Sequence, residues 1–251
     1  MLNLNQFALP TVCERIATGG EMLNVGSALV IVLTALACLR HWIGLSLRRD
    51  FAVVSLILMA LAAGLGSALY HLDPGPTTLR LDTMPIQLFV MSSFAYILYR
   101  MIGFDALVTL LNLAAFILVA LLFGMMLPAA LLGNGAHYVA PLIAIYILGA
   151  GLVIYARMGL NHDAHLTGAA AARSDSVHIP RLKAGWGLLQ VGIVFAMALV
   201  ARSLDMPLCE TLPYGTHFIW HLLMAFATGR LLLVIIEFAA SEQKALALAS
   251  R

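Results

Sequence analysis

Residues Gly215 to Gly229, GTHFIWHLLMAFATG, open the last long apolar segment of the chain and carry His217 and His221. A spacing of four places both imidazoles on one face of a helix, one turn apart. Two side chains of one helix share a metal ion in this geometry, as in helical zinc motifs. A membrane-spanning segment has little reason to hold two imidazoles unless the bundle interior satisfies them. The surrounding composition supports the membrane reading. Of 251 residues, 62% are hydrophobic and 10% charged, and the mean hydropathy is +0.97. Soluble domains do not have this balance, so the chain is expected to be a polytopic helical membrane protein. A net charge of +2 gives no reason to expect nucleic acid as a partner.

Seven stretches are long enough to cross a bilayer: Met22–Leu39, Phe51–Tyr70, Thr83–Tyr99, Ala106–Met125, Tyr138–Ala156, Ala184–Ala201 and Gly215–Phe238. Each approaches the ~20 residues that a hydrocarbon core requires. The expected fold is therefore all-α, one seven-transmembrane bundle over residues 1–251. The opening MLNLNQFALP has no basic start followed by an apolar run, so the first span is expected to direct its own insertion. The connector from Arg157 to Lys183 reads as a flexible loop with some helix.

Basic residues predict the orientation. Arg40, Arg48, Arg49, Arg100, Arg157, Arg173, Arg181, Lys183, Lys244 and Arg251 fall on one side; Arg15, Arg80 and Arg202 fall on the other. The positive-inside rule puts the N-terminus outside and the C-terminus in the cytosol. On this topology Ser67 and His71, Asp82, and His217 with His221 all lie near the outer face.

Ser67 and His71 are also four apart and share a helix face. Three histidines from two helices leave a fourth tetrahedral position open, which is the ligand arrangement of a catalytic zinc site. Asp82 follows His71 across the turn Asp73-Pro74-Gly75-Pro76, where it can serve as general base or orient a ligand. Histidine with carboxylate suits zinc better than calcium or magnesium. Blander roles exist for each residue. His217 and His221 could bond backbone carbonyls of neighbouring helices, small residues such as Ser67 line helix contacts throughout membranes, and Asp82 could be a loop acid beside Arg80. His41, His137 and His178 read as wet interfacial groups, and His162 with His165 as loop residues. Cys13 and Cys209 both fall on the oxidising side, which permits a bridge, whereas Cys38 at the other end reads as a free thiol.

The ordered pieces resemble a known family. Ser67-Ala-Leu-Tyr-His71, Asp82 and His217-Phe-Ile-Trp-His221, with Cys13-Glu14, Glu21-Met-Leu-Asn24 and Asp205-Met-Pro-Leu-Cys209, are similar in order to the alkaline ceramidases. These belong to the membrane hydrolases that include the adiponectin and progestin receptors. The resemblance spans nearly the whole chain. It implies zinc on His71, His217 and His221, proton transfer by Asp82, and a supporting role for Ser67. The implied activity is cleavage of a ceramide-like lipid to a sphingoid base and a fatty acid. It also implies a calcium site among Glu14, Glu21 and Asn24. Thr11 and Ile16 stand where animal members carry Asp and Asn, so calcium is expected to bind weakly or not at all. Rival readings are a receptor with a structural zinc, a lipid esterase using the same site, and a proton-coupled transporter, the last disfavoured because no inverted repeat is visible. Ala- and Leu-rich spans with short loops suggest a bacterial inner membrane, with the site toward the periplasm. Oligomeric state is not legible in the sequence.

Overall fold

The computed structural model describes residues 11–45, 50–127 and 135–249. Among them every regular element is helical. A short α1 (Cys13–Thr18) precedes α2 (Met22–Gly44), α3 (Phe51–Leu72) and α4 (Pro76–Tyr96), which continues into a π-helical turn, Ile97–Ile102. Then come α5 (Ala106–Met126), α6 (Val139–His162, entered through the 3-10 turn Ala136–Tyr138), α7 (Gly168–Leu204) and α8 (His217–Ala249). Helices α2 to α8 supply seven segments long and apolar enough to cross a membrane, which makes the chain a multi-pass membrane protein.

The spans pack in an arc, with α4 on α3, α3 on α2, α2 on α8, α8 on α7 and α7 on α6. Helix α5 closes the gap between α6 and α4 with lighter contacts and turns Leu110, Leu111, Leu118 and Leu121 outward. Such an all-apolar surface is what a lipid-facing helix presents. The largest buried cluster is built on Val53, Leu56, Met101, Leu188, Leu232 and Ile235. It fills the half of the bundle away from His71, His217 and His221.

Two features set the crossing of α3 and α4. Pro85 has no N–H for the Leu81 carbonyl one turn earlier. That carbonyl lies against Gly66 of α3, where any side chain would collide with it. The missing donor and the missing Cβ together let the two backbones approach. The turn between them is held by Thr78, whose Oγ1 accepts from the Gly75 N–H at 2.9 Å and donates to the Asp73 carbonyl at 2.7 Å. Asp82 thereby comes down beside Ser67 and His71.

The structure lengthens most of the expected spans at one or both ends, and it corrects the Arg157–Lys183 connector. α6 runs to His162 and α7 starts at Gly168, so only residues 163–167 separate them. Hydropathy marks the apolar part of a helix and misses polar turns that continue it. Pro180 lies inside α7 without ending it. Arg181 anchors the polar part of α7 by donating to the Met101 carbonyl at 2.8 Å. The opening residues 1–10, and Arg48, Arg49 and Arg251 of the charge tally, lie outside the described residues.

Candidate metal centre

His71 comes from the last turn of α3, and His217 and His221 from the first two turns of α8. All three are buried, at 4%, 6% and 2% exposure. Their rings are mutual neighbours, with centroids 4.7–5.2 Å apart. One nitrogen from each lies within 4.8 Å of the others, close enough to hold a metal ion.

The start of α8 is fixed by Asp205, at the end of α7. Its Oδ1 accepts from the Thr216 and His217 backbone N–H groups at 2.8 and 2.9 Å. Its Oδ2 accepts from the Cys13 N–H at 3.0 Å, which ties α1 to the same point. A buried carboxylate is satisfied here by helix-terminal donors, the usual home for such a charge. Gly215, with φ of 60°, permits the turn, because a side chain there would strike the Asp205 carboxylate. Cys13 and Cys209 form a disulfide, with Cα atoms 5.3 Å apart, over the same corner. Cys38 is a buried free thiol elsewhere.

The outer nitrogens of two ligands are already assigned. Ser27 Oγ donates to the Asn24 carbonyl at 3.0 Å and lies 3.0 Å from His221 Nδ1. A hydroxyl has one proton, so it accepts from His221 Nδ1–H, and Nε2 of that ring keeps its lone pair. His71 Nδ1 pairs with the Glu21 carboxylate, which leaves its Nε2 in the same state. A carboxylate or hydroxyl behind each imidazole is the outer support that metal-binding histidines typically have.

Glu14, Glu21 and Asn24, the residues of the implied calcium site, are placed close by but otherwise employed. The Glu14 oxygens accept from the Leu23 and Asn24 N–H groups at 2.7 and 2.9 Å, capping α2. Glu21 bridges the Arg15 guanidinium and His71 with its two oxygens. The Asn24 side chain is fully buried, with neither polar atom hydrogen-bonded among the described residues. Each oxygen of both carboxylates thus already has a partner from the chain, and Arg15 places a positive charge on Glu21.

Asp82 and Ser67 face each other across the α3–α4 crossing. Asp82 Oδ1 is buried with no partner among the described residues. Asp73, by contrast, is exposed in the turn. Ser67, His71, Asp82, His217 and His221 all line one cavity of about 720 Å³. Its wall is mostly apolar and runs along α4 from Leu79 to Ile97, about 27 Å of helix at 1.5 Å per residue. Phe94 and Phe116 stack across α4 and α5, at 4.6 Å, beside it.

Sequence reading gave no site role to Arg15, Ser27, Tyr138, Trp220 or Arg202, although Trp220 stood inside the quoted His217-Phe-Ile-Trp-His221. Arg15 and Arg202 entered it only as loop charges, yet Arg15 lies on Glu21 and Arg202 lines the cavity. The one available signal was that Arg202 sits three residues before Asp205, at the end of an apolar helix.

Comparison with known proteins finds no matching family model, no matching curated protein and no matching solved structure. Fold and site define the chain as a seven-helix membrane protein with three buried histidines placed to hold a metal ion.

Proposed function

We propose that the chain is a zinc-dependent amidohydrolase that cleaves ceramide-like lipids to a sphingoid base and a fatty acid, as its resemblance to the alkaline ceramidases implies. One observation carries this reading. Three buried imidazoles, a carboxylate with an unpartnered oxygen and a long apolar cavity meet at one place. Three neutral imidazoles suit zinc, and three protein ligands are the number used where the metal is catalytic. When bound, zinc supplies a Lewis acid that polarises the amide carbonyl and acidifies water.

The chain's own residues supply the rest. Asp82 takes a proton from the attacking water as the carbon–oxygen bond forms. It returns that proton to the nitrogen as the carbon–nitrogen bond breaks, since an amide anion cannot leave. Ser67 donates a hydrogen bond beside Asp82, where the amide oxygen gains charge. Glu21 and Ser27 hold His71 and His221 in orientation. The apolar wall from Leu79 to Ile97 takes the acyl chain and excludes water. Loop charges and the Cys13–Cys209 disulfide support a site facing the non-cytosolic side, in a bacterial inner membrane the periplasm.

The test is mass spectrometry of products from a ceramide panel incubated with purified protein, with and without chelator. Chelator-sensitive release of sphingoid base is expected. If zinc-loaded protein releases nothing from ceramides, the reading fails; release from ester analogues alone would make it a lipid esterase, and no release from either would favour a receptor with a structural zinc.

A further inference from the structure

Arg202 stands in the last turn of α7 and lines the cavity together with His217 and His221. A guanidinium on the wall of an apolar cavity needs partners. Its carbon lies 5.3 Å from the Trp220 ring centroid and 5.9 Å from that of Tyr138. Two aromatic faces therefore hold the group in place. Its hydrogen-bonding capacity is nevertheless unused. Among the described residues the guanidinium donates no hydrogen bond and forms no ion pair, and Nε is buried without a partner. Among the described residues neither nearby acid is hydrogen-bonded or closely ion-paired to it, although Asp82 lies within range of its charge. Asp205 spends both oxygens on backbone N–H groups, and Asp82 shares the cavity wall without pairing with it. What remains is a planar fork of N–H donors, desolvated on two sides by aromatic rings, at the metal end of a lipid-sized cavity. That fork matches an anion with two coplanar oxygens.

We propose that Arg202 recognises a carboxylate, so that this site selects amphiphiles carrying one next to the amide or acyl carbon. The proposal rests on the cavity being an amide-lipid site. Two molecules offer this chemistry: a substrate with a carboxylate on its amine side, as in an N-acyl amino acid, and the fatty acid that amide cleavage releases.

Equilibrium binding to the purified chain in detergent separates them. N-oleoylglycine and N-oleoylethanolamine share chain and amide and differ in a carboxylate. Oleate and oleyl alcohol differ in the same way at the acyl carbon. Wild-type protein should prefer the carboxylate by on the order of 10- to 100-fold in at least one pair. Arg202→Gln should abolish that preference and leave affinity for the neutral partner within about twofold. The pair that responds identifies the source. Each measurement is repeated in chelator, because a metal also attracts carboxylates, and the Arg202-dependent difference must survive there. Arg202→Lys, which keeps the charge and loses the fork, should retain only part of the preference. It also carries the test if the glutamine variant does not fold. An unchanged preference in both variants, or no preference in wild-type protein, overturns the proposal. Binding is read without turnover, so failure here leaves amide hydrolysis standing, and a chain that cleaves no amide can still show the preference.

Discussion

Histidines gather at both ends of the bundle under contrasting conditions. His71, His217 and His221 are buried, and their rings touch one another. At the opposite end the His162 side chain is 84% exposed and sits 3.0 Å from Asp163, which also lies 3.7 Å from His178. His162 and His165 stand three apart on neighbouring turns, a spacing close to that of His217 and His221. Spacing therefore does not separate the two groups. Their surroundings do. Behind two of the buried set, His71 and His221, stand Glu21 and Ser27, which take their outer nitrogens and leave the inner ones free. His162 and His165 instead spend Nδ1 on Asp163 and on the His162 carbonyl, and both side chains stay exposed. Burial alone is costly for an imidazole and support alone is common; their combination at a cavity points to a ligand.

The sharpest way to break this contrast is metal content. His217→Ala or His221→Ala should remove most of the zinc bound by purified protein, whereas His162→Ala with His165→Ala should remove none. Equal losses from both ends, or no loss from either, would sink the distinction.

Next in size is the carboxylate comparison. Asp82 has an unpartnered buried oxygen beside the histidines, and Asp73 is exposed in the turn before α4. Asp82→Asn keeps the shape but cannot take a proton. Lipid turnover should fall by about 10²–10⁴-fold with zinc retained. Asp73→Asn should change turnover little. The reverse result would move proton transfer to the turn.

A smaller effect probes the support behind a ligand. Glu21→Gln cannot neutralise Arg15 and holds His71 Nδ1–H less strongly. Zinc affinity, measured by competition with a chelator of known affinity, should drop by about 10- to 100-fold. An unchanged affinity would mean that His71 is oriented by packing alone.

Much of this contrast was legible in the sequence, and the missing part has a common cause. Seven spans follow from runs of apolar residues, which are local. His217 and His221 follow from helical periodicity, and His71 with Asp82 from the shortness of the turn between α3 and α4. The Cys13–Cys209 bridge was reached by asking which thiols share a side. What stayed hidden depends on partners far apart in the chain. Ser27 meets His221 across 194 residues, and Glu21 meets His71 across 50. No periodicity marks a residue that supports another helix's side chain. Arg202 was invisible for the same reason, because a charge at a helix end reads as a loop charge until Tyr138 and Trp220 are seen around it. The length of α7 was missed differently, since its polar turns are secured by Arg181 reaching Met101 and Ser174 reaching Asp163.

The smallest expected effect belongs to that last contact. Asp163 lies in the turn between α6 and α7. It is hydrogen-bonded by His162 Nδ1 at 3.0 Å and by Ser174 Oγ at 2.7 Å. These bonds, the His162 one foremost, favour the ionised carboxylate and hold its pKa below the ordinary aspartate value. A depressed folded pKa means that the contribution to stability is present above the unfolded value. It is lost as pH falls through the folded one. The window is therefore acidic and leaves neutral-pH behaviour untouched. A carboxyl-carbon NMR titration should place the Asp163 midpoint below that of an unstructured aspartate, and Ser174→Ala should move it upward. Zinc content should not change, because the contact lies at the far end of the bundle from His71, His217 and His221. A midpoint unmoved by Ser174→Ala would show that His162 and His178 set it without the serine. A change in zinc would show that the two ends are coupled through α7, whose last turn carries Arg202 and leads into Asp205.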